Sequence, residues 1–364
     1  MRFSQTPVTH RPLRGCLRVA ASLMALGMVA SACSQSSSAG SSKATDDSGH
    51  RTGAPAASTT VAPRPSPGCV SAPHAELTLA KKTLTVDRTA RWYLISTPPS
   101  SSRVRPLPLV LDIHGLDEGA QIEALTTQLG PLGQRVGFIS VFPQGTGSPL
   151  QWDTDATGPN HDLDYIQALL DQVEADQCVD ETRIYATGLS DGAFMTSLLA
   201  CDMSNRIAAF APVSGIQLPS PCHATRRVPI LAFHGTADPI LLFNGGIGLG
   251  VLKHALGETK GPAPSTKVPP ANLNGPGYPA TVASWAKRDG CAANPVDTKL
   301  APQVIRRVYR CPTGVAVEFY IIIGGGHAWP GSKFSEEIAA ITGPTTFEIN
   351  ASTTIWAFFK RFQL

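Results

Sequence analysis

The sequence predicts an α/β fold with a mostly parallel central sheet flanked by helices. Three observations carry this. Apolar runs of strand length alternate with helix-like runs from residue 77 to residue 361, the pattern of strands joined by crossover helices. Runs such as "LPLVLDI" and "VPILAF" are almost continuously apolar, as strands covered on both faces are. The residues best suited to chemistry, His114, Ser190, Asp238 and His327, each fall just past such a run, where sheets of this class bind ligands.

The chain opens with an export-like segment at residues 1–32. Arg11, Arg14 and Arg18 flank "VAASLMALGMVA", an apolar core too short to span a bilayer, as in a cleavable signal peptide. Ala30-Ser31-Ala32 precedes Cys33. Two readings stay open: ordinary secretion, or a lipoprotein signal that leaves a lipidated Cys33 as the membrane anchor. Residues 33–68 are rich in Ser, Pro and Ala and almost free of large apolar side chains. They cannot bury enough surface to offset their ordering entropy, so they read as a disordered tether. The folded domain is expected over 69–364.

The formal charge of the 364-residue chain is +3, but the leader holds four arginines and no acid, so the remainder sits near −1. Nothing points to nucleic acid. Apolar content of 42% and charged content of 16% allow a sizeable core. Beyond Cys16 and Cys33, six cysteines remain: Cys69, Cys178, Cys201, Cys222, Cys291 and Cys311. An even set in an exported chain implies disulfides, and six cysteines allow about fifteen connectivities. No closely spaced Cys/His quartet suggests zinc.

Within the domain, "LTLAKKTLTV" and "ARWYLIST" are strand-like, as are "LPLVLDIHG" and "GFISVFP". "DLDYIQALLDQVEAD" has helical spacing at Leu163, Ile166, Leu169, Leu170 and Val173. "RIYAT" predicts a short strand and "AFMTSLLAC" a helix after it. "IAAFAPVSG", "VPILAFHG" and "VAVEFYIIIGGGH" predict further strands. "YPATVASWAKRDG" and "STTIWAFFKRF" predict helices. Residues 241–280 are rich in Gly and Pro with no clear strand. An insertion of that length is expected to be a functional loop at the substrate entrance.

The chemistry centres on Gly188-Leu189-Ser190-Asp191-Gly192. Gly-x-Ser-x-Gly alone is a weak signal. Its placement between a strand and a helix is the setting of a nucleophile elbow, which exposes the serine oxygen on a sharp turn. A serine needs a base to take its proton, and the base needs an orienting carboxylate. In α/β-hydrolases the chain order is serine, acid, histidine. His327 follows the last strand, and Asp238 in "LAFHGTADP" is the best acid; Asp289 and Asp297 are weaker rivals because neither directly follows an apolar strand. The oxyanion donors are expected to be the backbone N–H groups of Leu116 and Asp191. His114 reads as a brace for its turn, and Trp329 as an aromatic wall for the substrate. The Asp191 carboxylate is expected to turn away and cap the helix starting near Gly192.

These motifs together resemble the secreted α/β-hydrolase esterases grouped with polyhydroxybutyrate depolymerases and feruloyl or acetylxylan esterases, lipoprotein members included. The resemblance runs over about residues 69–361 through "LVLDIHG", "FPQGTG", "CVDETRIYATGLSDGAFMTSLLAC", "APVSG", "PILAFHGTADP", "WAKRDGC" and "GGGHAWPG". It implies an α/β-hydrolase fold and a Ser190, Asp238, His327 triad. It also implies the pairs Cys69–Cys178, Cys201–Cys222 and Cys291–Cys311. The chain departs from the pattern in the acidic Asp191, in the turn after His114-Gly115, and in the length of 241–280. An ester substrate, small or polymeric, is implied, and no metal or organic cofactor. A non-catalytic binding lipoprotein and a serine peptidase of the same fold are the alternatives. The acyl and alcohol groups and the oligomeric state are not legible.

Overall fold

The computed structural model describes residues 62–70, 76–99, 105–259 and 268–364. The leader, Cys33 and most of the tether lie outside the described residues. One ten-stranded sheet organises the chain, in the order β1-β2-β4-β3-β5-β6-β7-β10-β9-β8. The strands are β1 (Ala80–Val86), β2 (Thr89–Ser96), β3 (Leu107–Ile113), β4 (Ile139–Pro143), β5 (Val179–Leu189), β6 (Ala209–Val213), β7 (Ile230–Gly235), β8 (Val296–Ala301), β9 (Val304–Tyr309) and β10 (Val317–Ile322). The central run from β4 to β10 is parallel; β1, β2, β9 and β8 pair antiparallel at the margins. This is the mostly parallel α/β-hydrolase sheet that the sequence predicts.

The near-continuous apolar strands are explained by helices on both faces. Successive residues of β3 alternate between two cores, with Leu109, Leu111 and Ile113 in one and Val110 in the other. The first core takes Leu169 and Leu170 from α3 (His161–Asp176), Leu198 from α4 (Asp191–Asp202) and Trp285 from α6 (Tyr278–Arg288). The second takes Ala120 from α1 (Gly119–Thr127), Leu132 from α2 (Leu129–Val136) and Phe359 from α9 (Ala351–Phe359), which follows the short helices α7 (Lys333–Glu337) and α8 (Ala339–Thr342).

Several elements go beyond the sequence reading. Helices α1 and α2 were not visible in the Gly-rich stretch between β3 and β4. The β8–β9 hairpin extends the sheet, and β8 is exposed along nearly its whole length, so it has no apolar alternation to announce it. The 241–280 insertion holds a short helix, α5 (Leu249–Ala255). Asn244 ties the two ends of the insertion together: it donates to the Asn272 and Pro276 carbonyls at 2.8 and 3.0 Å.

The ordered domain also begins earlier than residue 69. Arg64 pairs with Glu181 at 2.7 Å, and the Ser66 N–H donates to the Val179 carbonyl. The end of the expected tether is therefore packed against the start of β5. Disulfides join Cys69–Cys178, Cys201–Cys222 and Cys291–Cys311, the pairing implied by the resemblance.

Candidate active site

Ser190 occupies the single residue between β5 and α4, with φ 58° and ψ −117°. That is a costly conformation for a residue with a side chain, and it persists only where the surroundings enforce it. Crowding enforces it here. A Cβ on Gly192 would sit 1.9 Å from the Ile113 carbonyl oxygen, and one on Gly188 would sit 2.5 Å from it. The two motif glycines thus let β5 and α4 close against β3. The Ser190 N–H donates to the Val213 carbonyl at 3.0 Å and fixes the elbow to β6.

Asp238 follows β7 and is fully buried. Its Oδ1 accepts from the N–H groups of Ile240 and Leu241 at 2.9 and 2.8 Å, and its Oδ2 faces His327 Nδ1 at 2.8 Å. His327 therefore holds its proton on Nδ1 and leaves Nε2 as the acceptor. Burial by itself would lower the His327 pKa. The charge and hydrogen bond of Asp238, joined by the charge of Glu118, outweigh burial and raise it above the ordinary histidine value.

His234 lies 3.3 Å from the same Asp238 oxygen, donates to the Leu241 carbonyl at 2.8 Å and stacks on Tyr278. Burial lowers its pKa to about 4. It is a neutral spacer that holds Asp238 in place, not a partner ion. The rivals are spoken for elsewhere: Asp289 pairs with Arg288, and Asp297 with Arg307.

Ser190 and His327 line one cavity of about 190 Å³, together with Leu116, Asp117, Glu118, Ile240, Leu252, Leu256, Ile338, Ile341 and Thr342. No hydrogen bond joins the two side chains here. Such contacts commonly tighten only around substrate. Among the described residues, neither the Leu116 N–H nor the Asp191 N–H has a partner. Both expected oxyanion donors are unengaged.

The turn that carries Leu116 is heavily braced, as expected of His114. The buried His114 ring donates from Nδ1 to the Gly115 carbonyl at 2.7 Å, and its Nε2 accepts from the Gly145 N–H at 2.9 Å. Its pKa is pushed down to about 4 by burial, so the ring stays neutral and keeps this tautomer. Trp152 donates from its indole N–H to the His114 carbonyl at 2.9 Å.

Two expectations fail. The Asp191 carboxylate does not cap its own helix: Oδ2 accepts from the Trp152 N–H at 2.8 Å and so fastens the elbow to the loop that braces His114. Burial raises its pKa to about 6. Trp329 does not wall the cavity. It is 1% exposed in the core beside α9, and its indole N–H donates to Ser352 at 3.0 Å. A buried partner for the indole nitrogen turned the ring inward. The cavity wall is aliphatic instead, and Leu252 and Leu256 come from the insertion.

The sequence reading missed Glu118, His234 and Trp152. Glu118 sits at the start of α1 and turns its carboxylate back to accept from the Gly115 N–H at 2.9 Å. Beneath the turn, Asp112 and Glu123 form a fully buried acid pair. Thr127 donates to Asp112 Oδ2 at 2.5 Å, while Asp112 Oδ1 and both Glu123 oxygens find no other donor among the described residues. Burial pushes Asp112 up to about 7 and raises Glu123 well above the carboxylate range. The protonated Glu123 is then the group that donates to Asp112.

The chain is similar to several known proteins. The family model described as "Esterase PHB depolymerase" matches residues 92–251. A bifunctional acetylxylan esterase/xylanase of Neocallimastix patriciarum is 34% identical over 37% of this chain and 20% of its own length. A protein of Nocardia uniformis subsp. tsuyamanensis, provisionally named an esterase, is 26% identical over 76% of this chain and 81% of its own. Feruloyl esterase B of Piromyces equi is 27% identical over 65% of this chain and 42% of its own. The chain thus spans a fifth of the first relative and less than half of the third. Over residues 92–251 the chain is similar to the esterases grouped with the polyhydroxybutyrate depolymerases.

Proposed function

We propose that this protein is an exported serine esterase that cleaves carboxylic esters through an acyl-enzyme. The observation that carries the reading is the buried Asp238–His327 hydrogen bond of 2.8 Å, opening on the cavity that Ser190 also lines. Ser190 Oγ attacks the ester carbonyl, and His327 Nε2 takes its proton. Asp238 keeps the ring in the required tautomer and stabilises the imidazolium. The Leu116 and Asp191 N–H groups receive the oxyanion. His327 returns the proton to the departing alcohol, and water then releases the acid by the same steps.

Ser190→Ala is expected to lower the hydrolysis of p-nitrophenyl esters by several orders of magnitude and to abolish fluorophosphonate labelling. Retention of a tenth of the wild-type rate removes Ser190 from the mechanism. A panel of p-nitrophenyl, feruloyl and acetylxylan esters, polyhydroxybutyrate and peptide amides assigns the substrate; exclusive amide cleavage sinks the esterase reading. Export rests on the leader and is supported by the three disulfides. An anchor on Cys33 places the protein in the membrane fraction, whereas recovery in the medium supports plain secretion.

A further inference from the structure

The cavity wall poses a problem of charge. Leu116, Ile240, Leu252, Leu256, Ile338 and Ile341 make it largely aliphatic. Apart from Ser190 and His327, few polar groups reach it. Thr342 turns its hydroxyl back to the Ile338 carbonyl at 3.3 Å, and Asp117 is exposed. Glu118 differs from both: it is half-buried, and no arginine, lysine or histidine forms an ion pair with it among the described residues. Oε2 is occupied by the Gly115 N–H at 2.9 Å, whereas Oε1 has no hydrogen-bond partner among the described residues.

Holding a carboxylate partly out of water beside an aliphatic wall costs folding energy, and burial raises the Glu118 pKa above the ordinary value. Bracing the turn does not require that cost, because any amide oxygen at this position accepts from Gly115 equally well. The carboxylate is also close to the reacting serine. A Cβ built on Gly115 would lie 2.6 Å from Glu118 Oε2 and 3.3 Å from Ser190 Cβ, so one glycine separates them.

We propose that Glu118 is a specificity-determining residue whose free oxygen accepts a hydrogen bond from a hydroxyl carried by the substrate close to the scissile ester, and whose charge excludes substrates with a carboxylate there. This rests on the esterase reading above. The hydroxyl can sit on the acyl or on the alcohol side of the ester. The two sources share one chemistry, and matched pairs separate them. A site built to bind a donor discriminates strongly against the analogue that lacks it, since its own polar group is then left unpaired.

The experiment measures kcat/KM on three comparisons. For the acyl side these are p-nitrophenyl 3-hydroxybutyrate against p-nitrophenyl butyrate. For the alcohol side they are 2-hydroxyethyl butyrate against propyl butyrate. For charge they are p-nitrophenyl hemisuccinate against p-nitrophenyl butyrate. Wild type is expected to favour the hydroxylated member of one of the first two pairs by roughly 10- to 100-fold, the worth of a hydrogen bond to a charged group, and to disfavour hemisuccinate. Glu118→Gln and Glu118→Ala are expected to bring the hydroxyl ratio toward one and to raise the hemisuccinate ratio about tenfold or more. A general loss of activity cancels in each ratio.

A second readout is the acid limb of the kcat/KM profile. His327 faces Asp238, His234 and Glu118, and Glu118→Gln removes one negative charge, so the limb is expected to move to lower pH. A wild-type hydroxyl ratio near one on both pairs overturns the proposal. So do ratios that stay unchanged in both variants, which make Glu118 a brace only. Absence of Ser190-dependent turnover of p-nitrophenyl butyrate overturns the esterase reading itself, and that result is separate from any ratio.

Discussion

At the scale of single residues, the proposed triad could be picked out because Ser190, Asp238 and His327 each follow an apolar run in one chain order. Their neighbours could not. Glu118 gains its meaning from Ser190, 72 residues away in sequence, and only the folded chain brings them together. Asp191 was misread for a related reason. Sequence offers its own helix as the nearest partner, but the Trp152 N–H reaches it first.

That contact makes a test. Asn at 191 can still accept from the Trp152 N–H through its amide oxygen; Ala cannot. Asp191→Asn is expected to keep ester hydrolysis within about tenfold of wild type. Asp191→Ala is expected to fall by ~10²-fold, the usual cost of an ångström-scale misplacement of catalytic groups. The two variants compared by kcat on one neutral ester decide it. Equal rates make the Asp191–Trp152 contact irrelevant to the elbow.

At the scale of elements, buried strands were read well because strands covered on both faces show unbroken apolar runs. Edge strands and short helices were not. β8 faces solvent, and α5 is seven residues inside a stretch dominated by Gly and Pro. The insertion nevertheless reached the place expected of it: the cavity takes Leu252 and Leu256 from it. Its outer parts do structural duty, since Arg307 donates to the Leu273 carbonyl and to Asn274. A point change therefore tests its role better than a deletion. Leu252→Ala is expected to raise kcat/KM for long or branched acyl esters relative to acetyl esters by about tenfold, the scale set by a few methylenes in an apolar pocket. Tm is expected to move by no more than ~2–4 °C, the equivalent of ~1 kcal/mol in a domain of this size. Unchanged acyl preference makes α5 a passive cover.

At the scale of the whole molecule, the mostly parallel sheet followed from a simple alternation of patterns, and the disulfide pairing from resemblance alone; the order of strands was not read from the sequence. The cysteines are far apart in sequence, by 109 positions for Cys69–Cys178, so spacing could not choose among the connectivities. What no pattern in the chain announced is that two acids, Asp112 and Glu123, are buried under the turn that carries Leu116.

That acid pair gives the molecule a tide. A carboxyl group whose pKa is raised by folding adds stability that is complete below the ordinary carboxylate value, near 4, and is lost as pH rises through the folded value. For Asp112 that value is about 7, and Glu123 is raised as well. The contribution of these two groups thus weakens as pH rises, directly beneath the turn that holds Leu116. His114 and His234, lowered to about 4, pull the opposite way only below their ordinary value near 6.5. The acid pair's contribution is therefore clearest from there upward. Gln in place of Glu123 still donates to Asp112 but carries no proton to lose. The Tm difference between Glu123→Gln and wild type is expected to be small at pH 5 and to grow in favour of the variant toward pH 8, by ~2–4 °C for each kcal/mol relieved. A difference that stays flat with pH means that folding does not raise the pair's pKa. The ground beneath the Leu116 turn is thus expected to be the first to give as the surroundings turn alkaline.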